Sequence, residues 1–240
     1  WALDGIIRRS LYRLSPVVIV FYEHLIGSLI LLPIVVQTLK KEKLTGKVLF
    51  NASIVALLGG LLGTLFITSA LIKVHFIAFS VVFLIQKLQP LFAAGSAHLL
   101  LGEKLTPQYI KWAILALTAA FFVTFPNGNV NLDSGSGTLV AALFALGAAV
   151  CWGISTTLSK SLLNTVSHQG GTILRFYLST LWALIAVYVL GQSAALMTVG
   201  TFELSRLVYI ALTTGLLAMW IYYKGLKKTE AKVSTILELT

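Results

Sequence analysis

The feature that most constrains this chain is a succession of apolar runs, each about 20 residues long and bounded by turn formers or lysines. A run of that length crosses a hydrocarbon core of about 30 Å as one helix. Backbone inside a bilayer must satisfy its own hydrogen bonds, which leaves helices and closed barrels as the spanning structures. A barrel would show alternating segments of about 10 residues, and these runs do not alternate. Composition agrees, with 58% hydrophobic and 11% charged residues and a mean hydropathy of +0.91; a soluble domain carries about 25% charged residues. The chain reads as an all-α polytopic membrane protein.

Proline and glycine signals divide it. Trp1–Arg13 forms a partial first helix, ended at Ser15-Pro16 because proline pushes the preceding residue out of the helical region and starts the next helix well. Spans follow at about Pro16–Leu39, Leu49–Ile72, Phe76–Leu101 and Pro107–Phe125, then Thr138–Leu163, Gly171–Leu190 and Phe202–Leu226. The polar stretch 127–137 has linker character, and a last partial span starts near Glu230. Both ends fall inside helical pattern, so the expectation is a chain cut at each end.

The net charge of +10 does not point to nucleic acid, because the basic residues cluster at the ends of apolar runs. Lysine-rich connections at 40–47 and 227–232, with Lys104 and Lys160, fall on one side by span counting. The positive-inside rule makes that side cytoplasmic, although Arg8, Arg9, Arg13 and Lys73 fall on the other. The expected location is the inner (cytoplasmic) membrane. Cys151 is the single cysteine, so no internal disulfide forms, and it has no metal-ligand partner set.

The two halves resemble each other. Trp1 and Arg9-Ser10-Leu11 match Trp152 and Lys160-Ser161-Leu162, while Gly59-Gly60-Leu61-Leu62-Gly63 matches Thr214-Gly215-Leu216-Leu217-Ala218. Ala70-Leu71 likewise matches Gly225-Leu226. An odd number of spans repeated in tandem points opposite ways across the membrane, which is the inverted-repeat plan of many secondary transporters, with substrate near the midplane.

Gly60-Leu61-Leu62-Gly63-Thr64, Ala70-Leu71, Gln89-Pro90-Leu91-Phe92 and Gly102-Glu103-Lys104-Leu105-Thr106-Pro107 resemble the EamA-type repeat of the drug/metabolite transporter superfamily. Trp152-Gly153 matches the opening of that repeat. The resemblance implies a ten-helix inverted repeat (5+5), with the first helix partial and the last two largely missing here. The repeats would be residues 1–126 and 138–240, joined by 127–137. It also implies movement of small metabolites. Glu23 stands where the family often has arginine in the first repeat, and Gln89 where glutamate is commoner.

The candidate substrate site starts at Lys87, about 16 Å into its run and so near the midplane. A charge at that depth costs at least about 2.5–3.5 kcal/mol and faces a cavity or a partner. Gln86 and Gln89, three apart, share a face with each other and either bind substrate or satisfy carbonyls released by Pro90. Glu238 is the expected partner of Lys87 or a proton carrier. Glu23 and Arg175 fall at equivalent places in the two repeats and suit gates, ion coupling or packing anchors. Asp4 and Arg8, four apart, suit an intrahelical pair. Tyr22, Trp152 and Trp220 are candidate aromatic walls. Gly59 and Gly63 suit close helix packing.

No phosphate-binding loop, His-Glu-x-x-His or Gly-x-Ser-x-Gly occurs, which argues against direct ATP use and against an embedded enzyme. The expectation is a secondary transporter for a small polar or amphipathic metabolite, amino-acid-like by preference, working by alternating access without a cofactor. Expected partners are the small-molecule substrate, the lipid bilayer and a coupling ion such as H+, with the protein a monomer or homodimer. The alternatives are a lipid flippase or a non-transporting membrane subunit.

Overall fold

The structure, a computed structural model, describes residues 4–73, 76–124, 128 and 136–239. Trp1 and most of the 127–137 linker lie outside the described residues. The described residues form helices α1 (Asp4–Arg9), α2 (Pro16–Leu39), α3 (Gly46–Lys73), α4 (Phe76–Gln86), α5 (Gln89–Leu101) and α6 (Pro107–Thr124). Beyond the linker come α7 (Ser136–Leu163), α8 (His168–Val189), α9 (Thr201–Leu226) and α10 (Ala231–Leu237). Among them α2, α3, α7, α8 and α9 are long and apolar enough to cross a membrane.

Two differences from the sequence expectation matter. The expected span Phe76–Leu101 is two helices, because Pro90 has no N–H to continue α4 and instead starts α5. The break is closed by tight bonds, Leu88 N to Ile85 O and Leu91 N to Leu88 O, both 3.0 Å. Second, α3 and α9 each widen into a π-type segment, Ala56–Leu62 and Ala211–Leu217. There the N–H of Gly63 reaches Leu58 O and that of Ala218 reaches Thr213 O, five residues back. The segments start 155 residues apart and fall on the stretches matched in sequence.

Helices from opposite ends of the chain interleave. The closest packing joins α2 to α8, α5 to α7, and the second half of α3 to α7. Small residues make this possible, since helices in lipid gain from close approach and not from expelling water. Ala141, Ala145 and Ala148 of α7 meet Ile67, Ala70 and Leu71 of α3 in one core cluster. Ala93 and Ala97 of α5 are fully buried, and Thr157 of α7 donates to Ala93 O at 3.2 Å. Leu32, Leu99, Leu181 and Val189 stay exposed, as lipid-facing residues do.

The lysine-rich connections gather at one end. Glu42 accepts from the backbone N–H and hydroxyl of Ser167 at the start of α8. Lys227 Nζ donates to Val166 O at 2.7 Å. Within Gly102-Glu103-Lys104-Leu105-Thr106-Pro107, Gly102 takes the left-handed turn that ends α5 (φ 68°). Glu103 then accepts from Ala231 N at 2.8 Å and Lys232 N at 3.2 Å, capping α10 with a carboxylate. Thr106 accepts from Tyr109 N at 3.2 Å and Pro107 opens α6.

Two expectations follow. A side chain at Gly60 would drive into Ser179 of α8, whereas Gly95 faces open space. Gly60→Leu should therefore lower the melting temperature in detergent, by an overpacking cost of about 1–3 kcal/mol, and Gly95→Ala should not. Glu103→Ala should expose α10 to faster hydrogen exchange than the rest of the bundle; uniform protection would show that the cap is dispensable.

Candidate functional site

A cavity of about 760 Å³ runs through the bundle between helices of both halves. Its size lies within the range of about 300–1,000 Å³ usual for small-molecule sites. Its walls come from α1, α2, α3, the α4–α5 break, α7, α8, α9 and α10.

At one end stands a buried charge network. Arg8 Nε donates to Asp4 at 2.5 Å, so the expected intrahelical pair is present. Arg8 also bridges to Glu23 of α2 at 2.7 Å and reaches Thr68 of α3 at 3.4 Å. Thr214, in the wide turn of α9, donates to Asp4 Oδ1 at 2.6 Å. The planar guanidinium can serve two carboxylates at once because its donors point in fixed, divergent directions. The Arg8–Glu23 bridge was not legible in sequence. Its only signal was one cation and one carboxylate falling on the same side of the membrane.

The wide turn of α3 shapes the middle. Widening releases carbonyls from the regular ladder, and neighbouring side chains meet them. Trp152 Nε1 donates to Gly59 O at 3.0 Å, Ser155 to Val55 O at 3.1 Å and Ser179 to Ala56 O at 3.3 Å. Glycine is required there for side chains to enter. A Cβ on Gly59 would lie 2.7 Å from Arg175 Nη2, and one on Gly63 would lie 2.5 Å from Trp152 Cδ1. The expected glycine pair thus admits an arginine and an indole and not a second backbone.

Arg175 is buried on α8 and donates to the Tyr223 hydroxyl at 3.3 Å, which is itself 2.8 Å from Ser159 Oγ. Among the described residues no carboxylate pairs with it. On the third wall, Gln89 Nε2 donates to Glu238 Oε2 at 3.2 Å. Gln86 and Lys87 line the same cavity. The expected Lys87–Glu238 ion pair is not formed. The break before Pro90 turns Gln89 toward α10, so an amide and not the ammonium meets the carboxylate.

Of the residues singled out by sequence, Lys87, Gln86, Gln89, Glu238, Trp152, Glu23 and Arg175 line the cavity. Tyr22 and Trp220 do not. The Tyr22 hydroxyl donates to Leu196 O at 2.8 Å, and the Trp220 ring packs edge-on to His168 at 5.6 Å between centroids. Each side chain is committed to a helix contact. Residues the sequence did not single out include Ser155, Thr156, Ser159, Thr214 and Ser234, all on the cavity wall. Hydroxyls in apolar helices carry no pattern that separates a wall from a packing seam. No group of His, Cys, Asp or Glu suited to a metal is present among the described residues.

This chain matches the EamA-like transporter family over residues 1–125 and 139–240. It is 39% identical to the riboflavin transporter ImpX of Fusobacterium nucleatum subsp. nucleatum, over all of this chain and 81% of that protein. An uncharacterized transporter of Clostridium kluyveri is 26% identical over 75% of this chain and 57% of its own length. A protein of known crystal structure superposes with a TM-score of 0.69 at 18% identity, covering 99% of this chain and 82% of the other, a likeness of fold. With helices of membrane-spanning length around a solute-sized cavity, the chain is a multi-pass membrane transporter and belongs to the EamA-like transporter family.

Proposed function

We propose that this protein moves riboflavin or a closely related flavin across the cytoplasmic membrane by alternating access. The observation that carries this is 39% identity, along the whole chain, to a riboflavin transporter. The cavity's chemistry supports it. Three cations (Arg8, Lys87, Arg175) and three carboxylates (Asp4, Glu23, Glu238) line the wall, so its formal side-chain charges offset. A wall of offset charges favours a neutral solute over an ion. Between aliphatic side chains such as Ile67, Leu71 and Met219, the wall also carries hydroxyls, amides and aromatic rings: Ser155, Thr156, Gln86, Trp152, Phe83 and Tyr222. A flavin needs these, with rings for its planar nucleus and hydroxyls for its polyol tail. Arg8 and Glu23 are engaged with each other, so that pair is not open to the charged ends of an amino-acid-like solute.

In this reading residues 1–126 and 138–240 form inverted repeats that rock about the cavity, and the wide turns of α3 and α9 supply the compliance. The Asp4–Arg8–Glu23 network, with Thr214, ties α1, α2 and α9 together at one end and acts as a latch. Glu238 is the group available to carry a coupling proton.

Counterflow in proteoliposomes of the full-length protein tests the substrate. Saturable riboflavin exchange is expected, with Trp152→Ala reducing it about tenfold through a stacking loss of roughly 0.5–1.5 kcal/mol plus lost packing. Exchange driven by amino acids and not by riboflavin would refute the proposal. For the latch, Arg8→Ala leaves the buried Glu23 carboxylate without its ion-pair partner, while Asp4 keeps only its bond from Thr214, and should cost about 3–5 kcal/mol, seen as a lower melting temperature. Arg8→Gln with Glu23→Gln should recover part of the loss, and no recovery would remove the pairing argument.

A further inference from the structure

The wall at Gln89 and Glu238 holds a donor and an acceptor side by side that the protein does not use up. Gln89 is buried, and one hydrogen of its Nε2 goes to Glu238 Oε2 at 3.2 Å. A primary amide nitrogen carries two hydrogens. Glu238 Oε1 is buried with no hydrogen-bond partner of its own among the described residues, on a side chain that lines the cavity and whose carboxylate also has the Tyr222 hydroxyl as a neighbour. An acceptor held dry and unmet carries its desolvation cost until something donates to it.

We propose that Gln89 and Glu238 form a clamp for the imide edge of a flavin. This rests on the flavin reading and deepens it. The imide of the flavin nucleus presents one N–H between two carbonyl oxygens. Its N–H donates to Glu238 Oε1, and either flanking carbonyl accepts the second hydrogen of Gln89. A carboxylate acceptor makes this a charge-assisted bond. With Glu238 ionised, an uncharged ring is thereby recognised by a charged acceptor without an ion entering the membrane.

The indole beside the clamp fits the same ligand. Trp152 precedes Gly153, where α7 presses against the start of α5; a Cβ on Gly153 would lie 2.9 Å from Gln89 O and 2.8 Å from Ala93 N. Glycine at 153 therefore brings the Trp152 segment against the Gln89 backbone. The indole plane is held by its bond to Gly59 O. A planar solute gripped at its edge by Gln89 and Glu238 thus has a ring platform within the same cavity. A glutamate at position 89 would replace the donor with a second carboxylate and abolish the pairing.

The test compares inhibitors of riboflavin counterflow by the full-length wild type in proteoliposomes. 3-Methylriboflavin keeps the ring and the polyol but has lost the imide N–H. It should inhibit about tenfold or more less strongly than riboflavin, the loss expected for one hydrogen bond to a charged group. In Gln89→Glu and Glu238→Ala the gap between the two flavins should shrink towards unity. Equal inhibition by both flavins in the wild type would overturn the clamp while leaving flavin transport intact. Absence of riboflavin exchange by the wild type would overturn the transport assignment and the clamp with it. If the variants fail to assemble, the wild-type comparison alone decides.

Discussion

A backbone group released inside a bilayer can turn only to its protein neighbours, and the site depends on that constraint. The wide turn of α3 frees carbonyls, and Trp152, Ser155 and Ser179 arrive from α7 and α8 to meet them. The glycines at 59, 60 and 63 are what let those side chains in. The device that widens the helix therefore also draws the second half of the chain onto the first and orients an indole toward the cavity. At the α4–α5 break, Pro90 removes a donor and the chain re-enters a helix with Gln89 buried against α10.

Charge is handled by the same logic of local satisfaction. A buried ion pair is a weak source of net stability, but loss of one member leaves an expensive orphan. Arg8, held between Asp4 and Glu23, fixes the relative position of α1 and α2 more than it strengthens the fold. Arg175 is placed differently, among Gly59, Ser155 and the Tyr223 hydroxyl, with no carboxylate pairing with it among the described residues. Its charge and those of Lys87 and Glu238 face the cavity, where they act on a solute or on one another across it.

Much of the site was legible because intramembrane polar residues are costly wherever they sit. Lys87, Gln89, Glu238, Glu23 and Arg175 stand out from apolar runs by type alone, and all line the cavity. The aromatic candidates were harder to separate. Tyr22 lies on α2, which is apolar nearly all round, so no polar face marks which side turns inward. Tyr22, Trp220 and Trp152 all pack against core clusters, but Trp152 also reaches the cavity, where the wide turn of α3 offers its ring nitrogen a carbonyl. The serine and threonine hydroxyls of α7 gave no signal, since the same residues line cavities and packing seams alike.

The sequence by itself determined the class of protein, the approximate spans and the transporter family. Those follow from run length, proline and glycine placement and the cost of charge in lipid, which act locally along the chain. Only the tertiary structure decided which charges meet. Whether Glu238 faces Lys87 or Gln89, and whether Arg8 stops at Asp4 or also takes Glu23, depends on helix rotation and depth. An apolar run carries little information about either. They are set by where small residues and widened turns let helices from the two halves approach.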